Sequence, residues 1–266
     1  MRALVESVRG DNRALRLHLE LFSRDAQERD QLGGIARTYG FTRLPEVTNY
    51  EYTLATDLAG TDDAGHLASL SQGVRQNIRA LAKYPVELRP IRDESDSQRM
   101  NALMRDTLAR TGARHHERDY GSTIRLAIAE PAVARLVGLY RTDGIGGEDA
   151  LIAFALGLNN VDHVAYDIGA SGRVPEFKNV SLGYPLLWDL ISWARSVGAA
   201  WFDYGGVPAA NSEGEERLRS ISDFKRRFEK NAVRVSEEWA LTPHPMRAAA
   251  ARVVSRAVQA LRRPGG

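Results

Sequence analysis

The stretch Trp201-Phe-Asp-Tyr-Gly-Gly-Val207, followed by Ile221-Ser-Asp-Phe-Lys-Arg-Arg-Phe228, says most about the fold of this chain. An apolar run enters an acid–aromatic pair and ends on two glycines, which is typical of a buried strand that opens into a turn. The second segment is basic and aromatic and predicts a short helix. The order therefore predicts that Lys225 returns to the polar end of a buried strand that carries Asp203.

The composition is that of a globular chain with a substantial core, since 43% of the 266 residues are hydrophobic. There are no cysteines, which excludes disulfides, cysteine-bound zinc and a cysteine nucleophile, and fits a reducing compartment. Lys and Arg number 36 against 34 Asp and Glu, so any contact with nucleic acid must come from local clustering. Neither a membrane-spanning run nor a signal-peptide core is present, and we expect a cytoplasmic protein.

Hydrophobic periodicity predicts strands at 15–21, 50–54, 86–91, 134–140, 150–159, 163–168, 200–204 and 233–241. Helices are predicted at 25–39, 62–70, 74–84, 96–111, 122–129, 183–197, 220–228 and 245–263. Ser122 is the expected cap of the fifth helix. From residue 86 onward the order predicts an α+β fold with a mixed sheet, preceded by about half of a comparable unit.

With its local signatures, this order resembles the Fem-type (FemABX-like) aminoacyltransferases, which are built from the GNAT-like N-acetyltransferase fold, usually in tandem. The resemblance covers residues 15 to 241. The segments that carry it are Gly40-Phe41, Thr53-Leu-Ala-Thr-Asp-Leu58, Arg75-Gln-Asn-Ile-Arg-Ala80, Tyr166-Asp-Ile-Gly-Ala-Ser171, Leu187 to Gly198, Phe202-Asp-Tyr-Gly-Gly-Val207 and Phe224-Lys225.

The resemblance implies a partial first GNAT-like domain at 1–73, a complete GNAT-like transferase domain at 74–242, and a C-terminal helix and tail at 243–266. Two features depart from relatives of this kind. The long coiled-coil arm of some Fem-type members has no counterpart here. The loop from Gly172 to Leu182 lacks the Gln/Arg-x-x-Gly-x-Gly/Ala pattern that cradles the coenzyme A pyrophosphate, which argues against simple use of acetyl-CoA.

The function implied by the resemblance is aminoacyl-tRNA-dependent formation of a peptide bond on the amine of a peptide acceptor. That acceptor is a cell-wall (peptidoglycan) precursor or a natural-product peptide. Aminoacyl-tRNA is the co-substrate, and no bound cofactor is expected. Two alternatives stay open: an N-acyltransferase that uses acyl-CoA or acyl carrier protein, and a non-catalytic tRNA-binding or accessory protein. A partner chain or a second copy would then complete the first domain.

Two residues are the candidates for catalysis. By the resemblance, Lys225 stabilises the oxyanion or the leaving oxygen, while Asp203 orients the attacking amine or accepts its proton. The same patterns have structural interpretations. Residues 223–230 also read as an amphipathic helix with Phe224 and Phe228 in the core, and Asp203 also reads as the cap of the following turn.

Substrate binding is assigned to residues around the same strand end. Phe224 is expected to stack or pack locally, and Gly205 and Gly206 allow a positive φ or close approach of a ligand beside Tyr204. Tyr166 and Ser171 flank the Gly-Ala step of a central strand and are also assigned to substrate binding. The alternative for the tyrosine is a core position with a satisfied hydroxyl.

Basic residues supply the last candidates. Arg75, Arg79 and Lys83 lie one helical turn apart and are expected to contact phosphates, unless they form a solvated face. A second basic group is Arg110, Arg114, His115 and His116. No third ligand lies at a useful spacing from the two histidines, so no metal site is predicted.

Overall fold

The computed structural model describes residues 1–45, 47–110, 117–147, 150–177, 180–208, 219–251 and 253. In chain order its elements begin with α1 (Arg2–Gly10), β1 (Leu17–Phe22), α2 (Ala26–Thr38), β2 (Thr42–Arg43), β3 (Tyr52–Asp57), α3 (Asp63–Ser69), α4 (Gln72–Ala80), a 3-10 turn (Leu81–Lys83), β4 (Val86–Pro90), α5 (Asp96–Arg110) and α6 (Tyr120–Ala129).

They continue with β5 (Ala134–Arg141), β6 (Leu151–Asn159), β7 (His163–Ser171), a 3-10 turn (Pro175–Phe177), α7 (Gly183–Ser196), β8 (Trp201–Val207), α8 (Arg219–Arg226), β9 (Ala232–Arg234) and β10 (Ser236–Leu241). Residues 245–251 are helical, and the rest of the predicted C-terminal helix lies largely outside the described residues. None of the described helices has the length and apolar character that crossing a membrane requires.

The contacts divide the chain into two compact units. The smaller unit holds Met1–Tyr52 and Val233–Gly266, and the larger unit holds Thr53–Ala232. These limits differ from the divisions expected at residues 74 and 243, the first of which falls inside α4. A division into compact units does not show which fold each unit has. The partial GNAT-like domain and the complete one therefore stay a prediction.

The smaller unit is built on an antiparallel sheet in the order β1-β10-β2. Its core contains Val5, Leu21, Ala36, Phe41, Trp239 and Leu241. On α2, Gly33 lies against the Trp239 ring, where an added Cβ would be 2.7 Å from the nearest ring atom. The helix approaches the sheet this closely because that position has no side chain.

In the larger unit the strands follow the order β4-β5-β6-β7-β8-β3. Strands β4 to β7 form an antiparallel meander, whereas β7 and β8 are parallel. Parallel neighbours need a crossover connection, and α7 supplies it. The three strands of the meander that the sequence predicts at 134–168 are therefore confirmed.

Helices cover both faces of this sheet. On one face Phe154 of β6 belongs to a buried cluster with Met100 of α5 and Ile124 of α6. On the other face Gly157 lies under α7, where an added Cβ would be 3.1 Å from the Leu190 side chain. Because side chains alternate along a strand, one strand contributes to both layers.

Two details of the sequence prediction are wrong. The cap of α6 is Asp119, whose carboxylate accepts a hydrogen bond from Ser122 N at 3.1 Å, so Ser122 lies inside the helix. An aspartate three residues upstream reaches the free N–H groups of the first turn. The strand expected at 233–241 is divided into β9 and β10, and between them Val235 N donates to Glu51 O at 2.9 Å.

Candidate active site

The parallel strands β7 and β8 part after a short contact. Their pairing runs from His163 with Trp201 to Ala165 with Asp203, although β7 continues to Ser171 and β8 to Val207. Where paired strands separate, main-chain groups lose their ladder partners and become available to other groups. This opening in the sheet receives the side chain of Lys225.

A bulge in β7 lies beside the opening. Gly157 of β6 pairs with Tyr166, while Leu156 pairs with Ile168, so Asp167 is one residue more than the partner strand holds. An extra residue reverses the alternation of side chains along the rest of a strand. Tyr166 therefore shares a face with Gly169, and an added Cβ on Gly169 would collide with the tyrosine ring.

Lys225 lies in the last turn of α8 with only 7% of its surface exposed. Its Nζ donates to Gly206 O at 3.0 Å. Burial lowers the pKa of the Lys225 ammonium to about 8, and the charge of Asp203 opposes that shift. Near neutral pH this group can both hold and release a proton, which is the property that general acid–base chemistry requires.

Gly205 makes room for the lysine. Its φ is +81°, a conformation that residues with a side chain rarely adopt. An added Cβ would lie 3.1 Å from Lys225 Nζ and 3.3 Å from Tyr166 O. Glycine is thus required here both by backbone conformation and by the close approach of the two groups.

Asp203 is fully buried and holds the backbone of β8 at Gly205. One carboxylate oxygen, Oδ1, accepts hydrogen bonds from the Thr53 hydroxyl and from Gly205 N, the latter at 2.6 Å. These contacts are those of the turn cap that the sequence offered as an alternative. The proton-accepting role of Asp203 stays a prediction.

Thr53 is the residue of this group that sequence reasoning did not select. It lies on β3, the strand next to β8, and is fully buried. The signal for it was present in the Fem-like segment 53–58, but nothing in the sequence showed which side chain of that segment meets Asp203. Strand order, which the sequence does not state, brings the two together.

Beside the opening lies a cavity of about 220 Å³, the inner cavity, with Tyr166 and Phe224 in its wall. The Tyr166 side chain is half-buried, and among the described residues its hydroxyl has no hydrogen-bond partner. Burial, together with the charge of Asp167, raises the pKa of the phenol to about 12. At neutral pH the phenol is therefore a neutral group that can donate a hydrogen bond.

A second cavity of about 490 Å³, the outer cavity, lies along the loop between β7 and α7. It shares Ser171 and Ser181 with the inner cavity. Arg173 lines it, and Arg110 donates to Ser171 O at 3.3 Å. The two cavities thus adjoin, and arginines lie along the outer one.

Phe224 and Phe228 take different positions. The ring of Phe224 stacks on Tyr184 with 5.2 Å between centroids and an interplanar angle of 8°. Phe228 is buried and packs against Tyr204 at 5.8 Å. The structural interpretation, a helix over 223–230 with both rings in the core, is therefore only partly confirmed: α8 ends at Arg226, Phe228 is buried just after it, and Phe224 is half-buried and reaches the inner cavity.

Three predicted binding residues lie elsewhere. Tyr204 is fully buried with its hydroxyl 3.1 Å from Thr56 Oγ1 and does not line either cavity. Arg75 donates to the carbonyl oxygens of Ala68 and Leu70 at the end of α3. Arg79 is exposed on α4. Their roles in binding stay predictions.

The second basic group is described only in part. Arg110 lies beside Ser171, whereas Arg114, His115 and His116 lie outside the described residues. Within the part of the chain that the structure describes, no three acidic, histidine or cysteine side chains are grouped so that they would hold a metal ion.

Comparison with known proteins identifies the fold. A crystal structure of FemX is 16% identical, with 90% of this chain and 75% of that chain covered at a TM-score of 0.69. The C-terminal domain (DUF2156) of a proposed lysylphosphatidylglycerol synthetase from Agrobacterium fabrum is 15% identical, with 97% and 76% covered at a TM-score of 0.52. No curated protein sequence is significantly similar to the chain.

These likenesses confirm the predicted α+β, GNAT-like mixed sheet and its resemblance to the Fem-type fold. The sequence itself gives the family. Residues 68–226, more than half of the chain, match the model of the acetyltransferase (GNAT) domain. The chain therefore belongs to the GNAT acetyltransferase-domain family, and by that membership it is an acyltransferase.

Proposed function

We propose that this acyltransferase takes an aminoacyl group from tRNA and forms a peptide bond on the amine of a peptide acceptor. The observation that carries the proposal is the buried Lys225 ammonium with its lowered pKa, placed where β7 and β8 part. A cell-wall precursor or a natural-product peptide is the acceptor class, and a cytoplasmic location belongs to the same proposal.

The reaction needs few groups because the ester of aminoacyl-tRNA is already activated. The acceptor amine attacks the ester carbonyl, a carbon–nitrogen bond forms, and the carbonyl oxygen becomes an oxyanion. When the carbon–oxygen bond to the ribose breaks, the leaving oxygen takes up a proton and the attacking nitrogen gives one up. Lys225 in its ammonium form stabilises the negative charge and supplies that proton, and the proton from the amine restores it.

The surrounding groups hold this lysine in place. Asp203 accepts from Gly205 N and so fixes the backbone just before Gly206, whose carbonyl accepts from Lys225 Nζ. Thr53 holds Asp203 in turn. In this proposal Asp203 and Thr53 are positioning residues, because their described contacts are with the protein.

The outer cavity suits the phosphate-bearing end of the donor. Arg173 lines it and Arg110 lies at Ser171, at the boundary with the inner cavity. Arginine is well suited to phosphate recognition. On α4, exposed Arg79 is better placed for a further phosphate contact than Arg75, whose guanidinium already donates to two carbonyls.

A second candidate function is N-acyl transfer from acyl-CoA or acyl carrier protein. The description of the matching family as an acetyltransferase domain favours it. The loop from Gly172 to Leu182, without the glycine pattern of the coenzyme A loop, favours the first candidate. A non-catalytic tRNA-binding or accessory role would not require a buried lysine with a lowered pKa, so Lys225 favours a catalytic role.

The experiment is transfer of radiolabelled amino acids from a total charged-tRNA pool to a panel of peptide amines, with and without ribonuclease. We expect a labelled peptide that ribonuclease abolishes. Lys225→Met should lose the product, whereas Lys230→Met, a change at an exposed lysine just after α8, should retain it. Product formation with acyl-CoA or acyl carrier protein, but not with charged tRNA, would support the second candidate instead.

A further inference from the structure

The inner cavity points to the chemical class of the group that is transferred. We propose, on the basis of the proposed function, that this cavity binds the side chain of the donated amino acid and accepts an uncharged, largely apolar side chain. Amino acids with cationic or anionic side chains are then poor donors. Four observations support this assignment: the position, the size, the lining and one polar group.

The cavity adjoins the reaction centre through Tyr166 and Phe224. The main-chain oxygen of Tyr166 lies at Gly205, where Lys225 Nζ also approaches, and the tyrosine side chain lines the cavity. Phe224 lines it as well and directly precedes Lys225. A carbonyl carbon held at Lys225 would therefore have its substituent beside or within the inner cavity.

The size fits a side chain better than a whole cofactor. Pockets that take complete small molecules commonly measure about 300–1,000 Å³, whereas this cavity has about 220 Å³. The larger outer cavity adjoins it at Ser171 and Ser181. A donor can thus place its ribose and phosphates in the outer cavity and a compact group in the inner one.

The lining is uncharged. All 12 of the described lining residues are apolar, aromatic, glycine, serine or threonine. Moving a charged group out of water into such a surface is unfavourable unless an opposite charge meets it. No carboxylate lines the described wall to pair with a lysyl or arginyl side chain, and no cation lines it to pair with an aspartyl or glutamyl one.

The Tyr166 hydroxyl is a neutral polar group in the wall of the cavity. The Tyr166 hydroxyl has no partner among the described residues, and the raised pKa keeps the phenol neutral. It can exchange one hydrogen bond with the bound group without adding charge. Ser171, Ser181 and Thr107 add further hydroxyls to the wall, and that of Thr107 also accepts from Arg110 at 3.1 Å. The preference therefore covers apolar side chains and those with one neutral polar group.

The test compares donors of known side chain. Transfer is measured from tRNA charged with leucine, methionine or threonine and from tRNA charged with lysine, arginine, aspartate or glutamate, to one fixed acceptor. We expect kcat/KM at least about tenfold higher for the uncharged group. Equal use of the leucyl and lysyl donors would overturn the inference while leaving the proposed function intact.

A variant then tests whether a new charge in the wall weakens the preference. Ile221 lines the cavity on α8 and is 37% exposed, so a charged residue there is compatible with folding. Ile221→Glu should raise the ratio of lysyl to leucyl transfer about tenfold through the new ion pair. Asn231→Glu adds the same charge at an exposed position that does not line the cavity and should leave the ratio unchanged. An unchanged ratio in Ile221→Glu would contradict the assignment.

Two further arms separate the possible failures. In the first arm the acceptor side chain is changed while the donor is kept constant. If the discrimination, and its change in Ile221→Glu, follow the acceptor side chain rather than the donor side chain, the cavity belongs to the acceptor and the inference is wrong. If no charged tRNA supports transfer, the proposed function is wrong. Saturation-transfer NMR with N-acetyl-leucinamide and N-acetyl-lysinamide then tests the cavity alone, and equal signals from the two would overturn its preference.

Discussion

Strands β8 and β10 both carry carboxylates into buried positions, yet they do so in different ways. On β10, in the smaller unit, Glu238 is 4% exposed, and its carboxylate accepts from Thr48 N and, at 2.9 Å, from the Thr48 hydroxyl. On β8, in the larger unit, Asp203 accepts from Gly205 N, and the buried Lys225 donates to the carbonyl of Gly206.

The pKa values express the difference. Burial alone would raise the pKa of Glu238, but the Thr48 N–H and hydroxyl, with His18 nearby, hold it below its ordinary value. For Lys225, burial is the dominant effect and lowers the pKa to about 8, so the charged form is disfavoured. A buried charge that is well paired stabilises a fold, whereas a poorly compensated one beside a cavity indicates function.

The largest expected effect is the loss of activity in Lys225→Met. Removing a group that stabilises the oxyanion should lower kcat about 10²–10³-fold. The change deletes a buried ammonium, so the free energy of unfolding at pH 7 should not fall. Single-turnover transfer and urea denaturation measure the two quantities. Activity near that of the wild type would remove Lys225 from the mechanism.

Gly205→Ala tests the room made for the lysine. The φ of +81° and the 3.1 Å approach of Lys225 Nζ both oppose a side chain here. We expect the free energy of unfolding to fall by about 1–3 kcal/mol, with a fall in kcat that exceeds any rise in KM. Gly60→Ala is the control, because Gly60 also has a positive φ, +78°, but has open space around it. This variant should lose stability through conformational strain and keep the turnover of the wild type.

Thr53→Val tests whether the hydrogen bond from Thr53 to Asp203 also affects the position of Lys225. The buried carboxylate loses one donor, which should reduce the free energy of unfolding by about 1–3 kcal/mol. A positioning role also predicts a lower kcat and a shifted pH–rate profile, both restored by Thr53→Ser. If stability falls while the pH profile stays that of the wild type, Thr53 is structural only.

The pH dependence of stability checks the lysine directly. Its pKa is about 8 in the folded protein against an ordinary 10.5, so between these values the unfolded chain holds a proton that the folded chain has released. The stability of the wild type relative to Lys225→Met should therefore rise with pH across this window, by at most about 1.4 kcal/mol per pH unit. A flat difference from pH 8 to 10 would contradict the lowered pKa.

The smallest effect is expected in the smaller unit. Glu238→Gln keeps the shape of the side chain but weakens the bonds from Thr48, and we expect a loss of about 1 kcal/mol in the free energy of unfolding. Turnover should not change, because Glu238 belongs to a paired, structural group. A fall in kcat comparable to that of Thr53→Val would break the contrast between the two strands.

The elements with strong periodicity were predictable from the sequence. The meander β5–β7, the long helix α7 and the positive φ of Gly205 follow from local patterns and agree with the structure, although β8 continues to Val207 where the sequence predicted a turn after residue 204. Helix α1 and the two-residue strand β2 were missed, since the first buries only Val5 and the second is too short to show alternation.

The candidate site was predictable in part. Its two ends, Asp203 and Lys225, lie close together, as the order of the motifs indicated. Thr53 was not predictable, because its contact with Asp203 depends on which strands are neighbours. The inner cavity was not predictable either, because five separate segments form its wall. Tyr204 is the opposite case: the motif led us to predict that it binds substrate, but the structure shows it fully buried.

The extra residue in β7 has a genetic consequence. Asp167 adds no element to the fold, yet from that point on the side chains exchange faces, and Gly169 and Ser171 come to lie with Tyr166 at the inner cavity. A single inserted codon in a strand is enough to exchange the set of side chains that a pocket receives. A single-codon deletion there would place Ile168 and Ala170 on the face of Tyr166, in the positions that Gly169 and Ser171 now occupy.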